Sequence, residues 1–206
     1  MKLNAFWLKI IALISMTIDH YGYFLEPNVI EYRIIGRLAF VIFAYFVANA
    51  YIYTSNRLKY GITLLCFGLI IDLFLIITNN YIFSNIFITL ACGYFLIYSF
   101  DKEKYYLSIA LLIVTLFVNM DYGLYGIVLI LVCYLYFNEP IKIAVINLVL
   151  VLIAIYTQEI MGIQIFSTFG ILLLLLYNRE KGYNIKYLFY IYYPLHIVIL
   201  GFLASN

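Results

Sequence analysis

The chain has 206 residues, of which 67% are hydrophobic and only 11% are charged, and its mean hydropathy is +1.05. Soluble globular proteins are far more polar, so the composition predicts one all-α integral membrane domain over residues 1–206 and no soluble domain. The net charge is only +2, and no basic cluster with interleaved aromatic residues stands apart from the apolar runs. We therefore expect membrane lipids, and no nucleic acid, among the partners.

Nine long apolar runs, separated by charged residues, Asn, Gly or Pro, predict a bundle of nine transmembrane helices. About 20 apolar residues cross the hydrocarbon core, and the fifth run is short for this purpose. The first run is interrupted by Asp19 and His20 and is followed by no small-residue cleavage site, so we expect a retained span rather than a signal peptide. The predicted helices are 5–24, 33–54, 58–78, 83–100, 105–119, 122–138, 141–157, 163–178 and 186–204.

The Lys and Arg residues between the predicted helices fall almost entirely on one side of the membrane, and the other side holds only Arg33. Because cytoplasmic loops carry the excess of basic residues, we expect a cytoplasmic N-terminus and, with nine spans, an external C-terminus. The residues of the basic side are Lys2, Arg57, Lys59, Lys102, Lys104, Lys142, Arg179, Lys181 and Lys186.

Arg37 lies inside an apolar run, residues 34–43, with no carboxylate within four residues of it. A guanidinium group stays charged and costs about 2.5–3.5 kcal/mol at the centre of a membrane helix, so it needs partners from other helices. Arg37 either binds an acidic or developing negative charge of a substrate, or is a structural counter-ion for Asp19 or Asp72. We expect the fold to bring these groups and the two histidines together.

The two histidines occupy the first and last predicted helices, which meet if the bundle closes on itself. His20 lies about 22 Å along the first helix, in the outer half of the membrane. With Asp19 or another carboxylate to orient its imidazole, it has the chemistry of a general base, although a pair exposed to water at a helix end is the alternative. His196 follows Pro194, which can kink the last helix, and is either functional or an ordinary interhelical hydrogen-bonding residue.

Five further polar residues are expected near the outer face, and we assign them to substrate binding. Asp121 is followed by Gly123, so ordinary turn chemistry is its alternative interpretation. The chain contains no glycine-rich phosphate loop, zinc motif or serine nucleophile elbow, and we expect no metal cofactor. The five residues are Asp72, Asn85, Thr89, Asp121 and Tyr192.

Several short motifs, taken in order, resemble the TraX family of conjugal-pilin acetylases. Individually each motif is short, but together they extend over nearly the whole chain, and one departure is Val41, where the family usually has Pro. The matching stretches are Met16-Thr17-Ile18-Asp19-His20, Ile35-Gly36-Arg37-Leu38-Ala39-Phe40, residues 54–60, residues 85–90 with Gly93, Asp121-Tyr122-Gly123-Leu124-Tyr125-Gly126, and residues 187–196, which end in Tyr-Tyr-Pro-Leu-His.

The resemblance implies acyl transfer in the bacterial cell membrane, with acetyl-CoA as the expected donor, and it makes His20 and Arg37 the first residues to test. The family is similar to the larger membrane acyltransferases that acylate surface sugars and depend on a His and an Arg in their first helices. We expect an exported acceptor: an amine of a peptide or pilin-like protein, or a hydroxyl of a surface glycan. The basic residues Arg57, Lys59, Arg179 and Lys181 are expected either to hold the phosphates of the donor or to act only as topology signals.

Within this hypothesis His20 is the base that deprotonates the acceptor. Arg37 positions Asp19 or offsets negative charge on the tetrahedral intermediate, and His196, deeper in the membrane, orients the donor thioester. Two alternatives remain open. One is a small transporter or channel with a relay through Asp19, Arg37, Asp72 and His196, although no internal repeat is found. The other is a structural subunit of a conjugation or secretion machine.

Overall fold

The structure is a computed structural model that describes residues 2–77, 85–118, 120–158, 160–183 and 186–205. Within these ranges every regular element is helical, apart from one isolated bridge between Leu3 and Tyr177. Two short 3₁₀ helices, Gly162–Phe166 and Leu173–Leu176, flank α8. The α-helices α1 to α9 are Ala5–Phe24, Ile30–Tyr53, Arg57–Ile77, Ile86–Asp101, Tyr105–Phe117, Gly123–Leu135, Pro140–Tyr156, Ser167–Leu172 and Lys186–Ala204.

The all-α prediction is confirmed for the described residues, but two of the predicted helices are wrong in detail. The predicted helix 163–178 is α-helical only over Ser167–Leu172 and tightens into 3₁₀ turns on both sides. Helix α2 begins at Ile30, three residues before its predicted start, so Arg33 lies within its first turn and not at its first position. The predicted end of the third helix and start of the fourth lie outside the described residues.

By length and composition, two helices of the described chain, α2 and α3, can each cross a membrane. Several other apolar helices have 10 to 17 residues, fewer than the ~20 that a perpendicular span requires. The outward-facing side chains of α3, α5 and α7 are nevertheless mainly large and apolar, as exemplified by Leu73, Phe117 and Val149. Such surfaces indicate association with a membrane, while the count of nine spans stays a prediction.

Helix α2 is the centre of the bundle and packs against α1, α4, α6 and α8. Its contact with α1 is close because small residues lie at the crossing, as is common where helix backbones approach each other. The hydroxyl of Ser15 donates a hydrogen bond to the carbonyl of Ile35 at 2.6 Å. A Cβ on Gly22 would lie 2.6 Å from Cβ of Tyr32, so this position also requires the absence of a side chain. The crossing holds the start of α2 against the end of α1, where the polar residues are.

Candidate functional site

A cavity of about 120 Å³ lies between the end of α1, the start of α2, the loop before α6, and α9. Its walls carry most of the charged groups that the bundle buries. Its lining residues are Met16, Asp19, His20, Tyr23, Arg33, Gly36, Arg37, Ala39, Phe40, Phe43, Ile86, Asp121, Tyr122 and Tyr193.

The carboxylate of Asp19 is held by two guanidinium groups of α2. Oδ1 accepts a hydrogen bond from Nη2 of Arg37, and Oδ2 lies 3.1 Å from Nη1 of Arg33, which also donates to the Asp19 carbonyl at 3.0 Å. Arg37 also donates from Nε to the carbonyl of Arg33, at 3.0 Å, and more weakly from Nη1 to the side-chain oxygen of Gln164, at 3.5 Å. Two cations facing one anion give this cluster a net positive charge, which the Asp121 carboxylate across the cavity offsets when it is ionised. Burial strengthens the effect of these charges on any anion that enters.

Gly36 makes the carboxylate cluster possible. It lies in α2 beside Asp19, and a Cβ built on it would be less than 3.0 Å from three atoms of the Asp19 side chain. Real Cβ atoms essentially never approach other atoms so closely, so only glycine permits Asp19 to lie between the two arginines.

The first and last helices meet through their histidines, as the sequence predicts. Nδ1 of His20 lies 2.6 Å from Nε2 of His196, and the two rings stack with centroids 4.9 Å apart. The expectation that His196 lies deeper in the membrane than His20 stays a prediction, although the direct contact limits any difference in depth to a few ångströms. The expectation that a carboxylate orients His20 is wrong, since the orienting group is a second imidazole and Asp19 faces the arginines.

The hydrogen-bond partners determine which nitrogens carry protons. Nδ1 of His196 lies 2.8 Å from the carbonyl of Tyr192, and a carbonyl only accepts, so this nitrogen must carry a hydrogen. In neutral His196, Nε2 is then an acceptor, and it accepts from Nδ1–H of His20. Neutral His20 therefore has its lone pair on Nε2. His20 lines the cavity, so this arrangement gives a cavity residue one ring nitrogen with a free lone pair.

The loop between α5 and α6 forms the opposite wall. Thr89 donates a hydrogen bond to the carbonyl of Asp121 at 2.5 Å, and Tyr122 stacks on Phe40 with ring centroids 3.9 Å apart. Tyr122 has φ 62°, a left-handed conformation that costs a non-glycine residue about 1–3 kcal/mol and is maintained only by surrounding contacts. Burial raises the pKa of the Asp121 carboxyl to about 7, although Arg37 opposes the shift.

The chain matches the family described as TraX protein over residues 5–204. It belongs to the TraX family. A second comparison gives 29% identity over an alignment of 233 residues with a Dichelobacter nodosus protein described as probable fimbrial assembly protein FimC, serogroup H1. That alignment covers 96% of this chain and 94% of the relative.

Another relative of this TraX-family chain is an uncharacterised protein of Rickettsia prowazekii, with 30% identity over 127 residues. This alignment covers 56% of the chain and 49% of the relative, so the chain spans about half the length of that protein. No solved structure matches the chain.

The fold of this TraX-family chain leaves four of the five predicted substrate-binding residues outside the cavity lining, and only Asp121 is part of it. Asp72 accepts hydrogen bonds from the backbone and side-chain amides of Asn85, at 3.2 and 2.6 Å, and Asn85 caps the start of α4. Thr89 supports the Asp121 loop from behind. The expectation that Asp72 joins Arg37 is therefore wrong. Tyr192 orients His196 through its carbonyl and stacks on the His196 ring, with centroids 5.1 Å apart.

The four basic residues predicted to hold the donor have different surroundings. Arg57 forms an ion pair of 2.9 Å with Asp101, and Arg179 donates to the side chain of Asn138. Lys59 is exposed in the first turn of α3. Lys181 lines a second, larger cavity. The structure therefore does not gather these four residues into one anion site.

Arg33 was not predicted as a site residue; it was placed at the start of the predicted helix 33–54 and counted only for topology. A signal for it was present, because residues four apart lie on the same face of a helix, and Arg33 and Arg37 are four apart. Gln164 and Tyr193 were also missed. Nothing local marks Gln164, which reaches Arg37 from the 3₁₀ helix before α8. Tyr193 lies within the matched motif that ends in His196, but only tertiary contacts place it on the cavity wall.

Proposed function

We propose that this TraX-family chain is a multi-pass membrane acetyltransferase with a cytoplasmic N-terminus. In this proposal it transfers an acetyl group from acetyl-CoA to an amine or hydroxyl of an exported, pilin-like acceptor. The observation that carries the proposal is the relay from the Tyr192 carbonyl through His196 to His20, which leaves an unprotonated Nε2 on a residue that lines the cavity with Arg33, Arg37 and Asp19.

The proposed reaction needs no group beyond the donor, the acceptor and these side chains. Nε2 of His20 takes the proton of the attacking N–H or O–H while the new bond forms to the thioester carbonyl carbon. The tetrahedral intermediate then expels the thiolate of CoA as the C–S bond breaks, and the proton on His20 passes to that sulfur. His196 accepts a hydrogen bond from His20 throughout, which fixes the orientation of the base and stabilises its cationic form.

The arginines of the cavity wall can stabilise the negative charge that develops on the carbonyl oxygen in this reaction. Arg37 is occupied by Asp19, the Arg33 carbonyl and Gln164, so we assign it the task of fixing Asp19. Arg33 binds Asp19 through Nη1 alone and is more exposed, with 21% of its side chain accessible against 9% for Arg37. Arg33 is therefore our candidate for the group that faces the oxyanion.

A second candidate function rests on the description of the Dichelobacter nodosus relative, a probable fimbrial assembly protein. A chain with such a role would act by holding pilus components and would need no proton transfer. The two functions differ in whether His20 is required.

The test is release of free CoA by purified protein in detergent, supplied with acetyl-CoA and either a pilin-like peptide amine or an amino sugar. We expect turnover by the wild type and by Lys142→Gln, an exposed control with 59% of its side chain accessible. His20→Ala should lose about 10²–10⁴ in rate, and His196→Ala should lose less because it only orients the base. No turnover with any acceptor would overturn the proposal, as would a fully active His20→Ala. Pilus assembly supported by inactive His20→Ala would favour the second candidate.

A further inference from the structure

A second cavity, of about 420 Å³, lies between α1, α2, α3, α4 and α9. It shares four lining residues with the His20 cavity, namely Met16, Phe43, Ile86 and Tyr193, so the two cavities meet at a common wall. The remaining lining residues are Lys9, Phe46, Val47, Asn49, Ala50, Tyr53, Thr54, Tyr60, Leu64, Phe87, Leu90, Lys181, Phe189 and Tyr190.

The charges of the larger cavity are of one sign. Its lining contains two lysines, Lys9 and Lys181, and no Asp or Glu. Nζ of Lys9 lies 4.8 Å from the ring centroid of Phe46, and the cavity lining offers this ammonium group no carboxylate. Two neighbouring cations in an apolar, aromatic wall form a site for an anion, because each is destabilised by the other until an anion enters.

Backbone hydrogen bonds hold the segment that contains Lys181 against the start of α1, the helix that carries Lys9. The backbone amide of Ala5 donates to the carbonyl of Glu180 at 2.8 Å, and that of Leu3 donates to the carbonyl of Leu176 at 2.7 Å. Gly182 has φ +63°, and a Cβ there would lie 2.8 Å from the side chain of Asn4. Lys181 is therefore fixed beside the first turns of α1, at the end of the molecule that we assign to the cytoplasmic side.

The distance from the lysines to the histidines fits one class of ligand. Lys9 and His20 are eleven residues apart on α1, which corresponds to about 16 Å along the helix. A phosphopantetheine arm has a backbone comparable to an extended peptide of about five residues, roughly 16 Å. An arm with its phosphate at Lys9 would thus bring its sulfur to the wall shared with the His20 cavity.

We propose that the larger cavity binds the pantetheine arm of an acyl-CoA, with Lys9 and Lys181 at its phosphates and the thioester at the shared wall. This inference rests on the proposed function and assigns the donor to a place that the sequence did not predict. The wall is mainly aromatic and aliphatic, but Asn49 and Thr54 supply polar groups for the amides of the arm. An anionic phospholipid would offer the same phosphate but has no amide groups, and beyond its esters it offers only hydrocarbon.

The experiment measures equilibrium binding of radiolabelled CoA, which carries no acyl group, to the purified full chain. We expect Lys9→Gln and Lys181→Gln each to weaken binding by about tenfold, the effect of losing one charge-assisted hydrogen bond. Ala50→Phe, which fills the cavity, should abolish binding while the thermal midpoint remains near that of the wild type. Lys59→Gln and Arg179→Gln, at the rival basic positions, should bind as the wild type does.

Three results would overturn the inference. In the first, Lys59→Gln or Arg179→Gln weakens CoA binding and the two cavity lysine variants do not. In the second, Ala50→Phe is folded and binds CoA normally. In the third, CoA does not bind, and phosphatidylglycerol that copurifies with the wild type is lost from Lys9→Gln and Lys181→Gln.

Binding and turnover separate this inference from the proposed function. His20→Ala should bind CoA with the wild-type affinity, because His20 acts on the acceptor. Wild-type protein that binds CoA through Lys9 and Lys181 but transfers no acetyl group would contradict the proposed function and leave the binding site intact. Acetyl transfer with an unchanged KM for acetyl-CoA in both lysine variants would contradict the binding site alone.

Discussion

Replacing Gly36 with Ala tests the helix crossing on which the charged cluster depends. The new Cβ would lie less than 3.0 Å from three atoms of Asp19, whereas ordinary contact begins at 3.4 Å. Helices α1 and α2 would have to separate by at least the difference, about 0.4 Å, and the ion pairs of Asp19 would be disturbed. Overpacking of this kind costs about 1–3 kcal/mol, which outweighs the ~1 kcal/mol that Ala gains over Gly in a helix except at the lower end of that range.

The disturbed ion pairs determine whether Gly36→Ala raises or lowers the free energy of unfolding. Asp19 and Arg37 are both 8% exposed, and a buried charge that loses its partner costs about 3–5 kcal/mol, of which even a part makes the change clearly destabilising. We expect a net loss of about 2 kcal/mol, which in a chain of this length lowers the thermal midpoint by about 4–8 °C. Under the proposed function, acetyl transfer per folded molecule should fall as well, because Arg33 and Arg37 lose their fixed positions.

The assay is thermal unfolding in detergent together with acetyl transfer. Gly162→Ala is a suitable control because a Cβ on Gly162 meets no atom within 4 Å. If Gly36→Ala unfolds at the temperature of the control and keeps its activity, then the close contact between Gly36 and Asp19 is absent from the protein and the reasoning fails.

Two further predictions concern the charges around the cavity. Arg33→Gln should lower the acetyl-transfer rate more than Arg37→Gln does. Arg37→Gln should lower the thermal midpoint more than Arg33→Gln does, since Arg37 is the more buried partner of Asp19. Thermal midpoints and rates measured on both variants check this, and equal effects of the two substitutions would contradict it. The raised pKa of Asp121, about 7 against an ordinary 3.8, means that the folded chain keeps a proton that the unfolded chain releases, so this carboxyl makes stability fall between pH 4 and pH 7. Asp121→Asn should remove that part of the pH dependence of the thermal midpoint, and parallel profiles for wild type and variant would contradict the assignment.

The parts of the fold that could be predicted from sequence are those fixed by local patterns. The bounds of α1 and α9 agree with the predicted ranges because apolar runs of helical length end there in polar residues or in the end of the chain. The region after Met161 was not predictable in this way. Its composition is as apolar as that of the other helices, but its backbone changes between 3₁₀ and α geometry, which depends on packing rather than on hydrophobic pattern.

The candidate site shows the same division. The need of Arg37 for a carboxylate follows from elementary electrostatics, and Asp19 supplies it. The choice between Asp19 and Asp72 depends on Gly36, whose missing side chain admits Asp19, and on Asn85, which binds Asp72 elsewhere. No rule of spacing within one helix reports such contacts between helices. The same limit explains why the partner of His20 was expected to be a carboxylate and is His196.

The geometry of Tyr193 has a consequence for how donor and base are coupled. Tyr193 lines both cavities, and it follows Tyr192, whose carbonyl orients His196 and through it His20. Its ring also lies 5.6 Å from that of His196 and 6.3 Å from that of His20, in edge-to-face orientation. A ligand in the larger cavity that presses on Tyr193 therefore acts on both histidine rings within one turn of α9. Occupancy by the donor would in this way hold the base in the orientation that the acceptor requires, while an empty cavity leaves the relay less constrained.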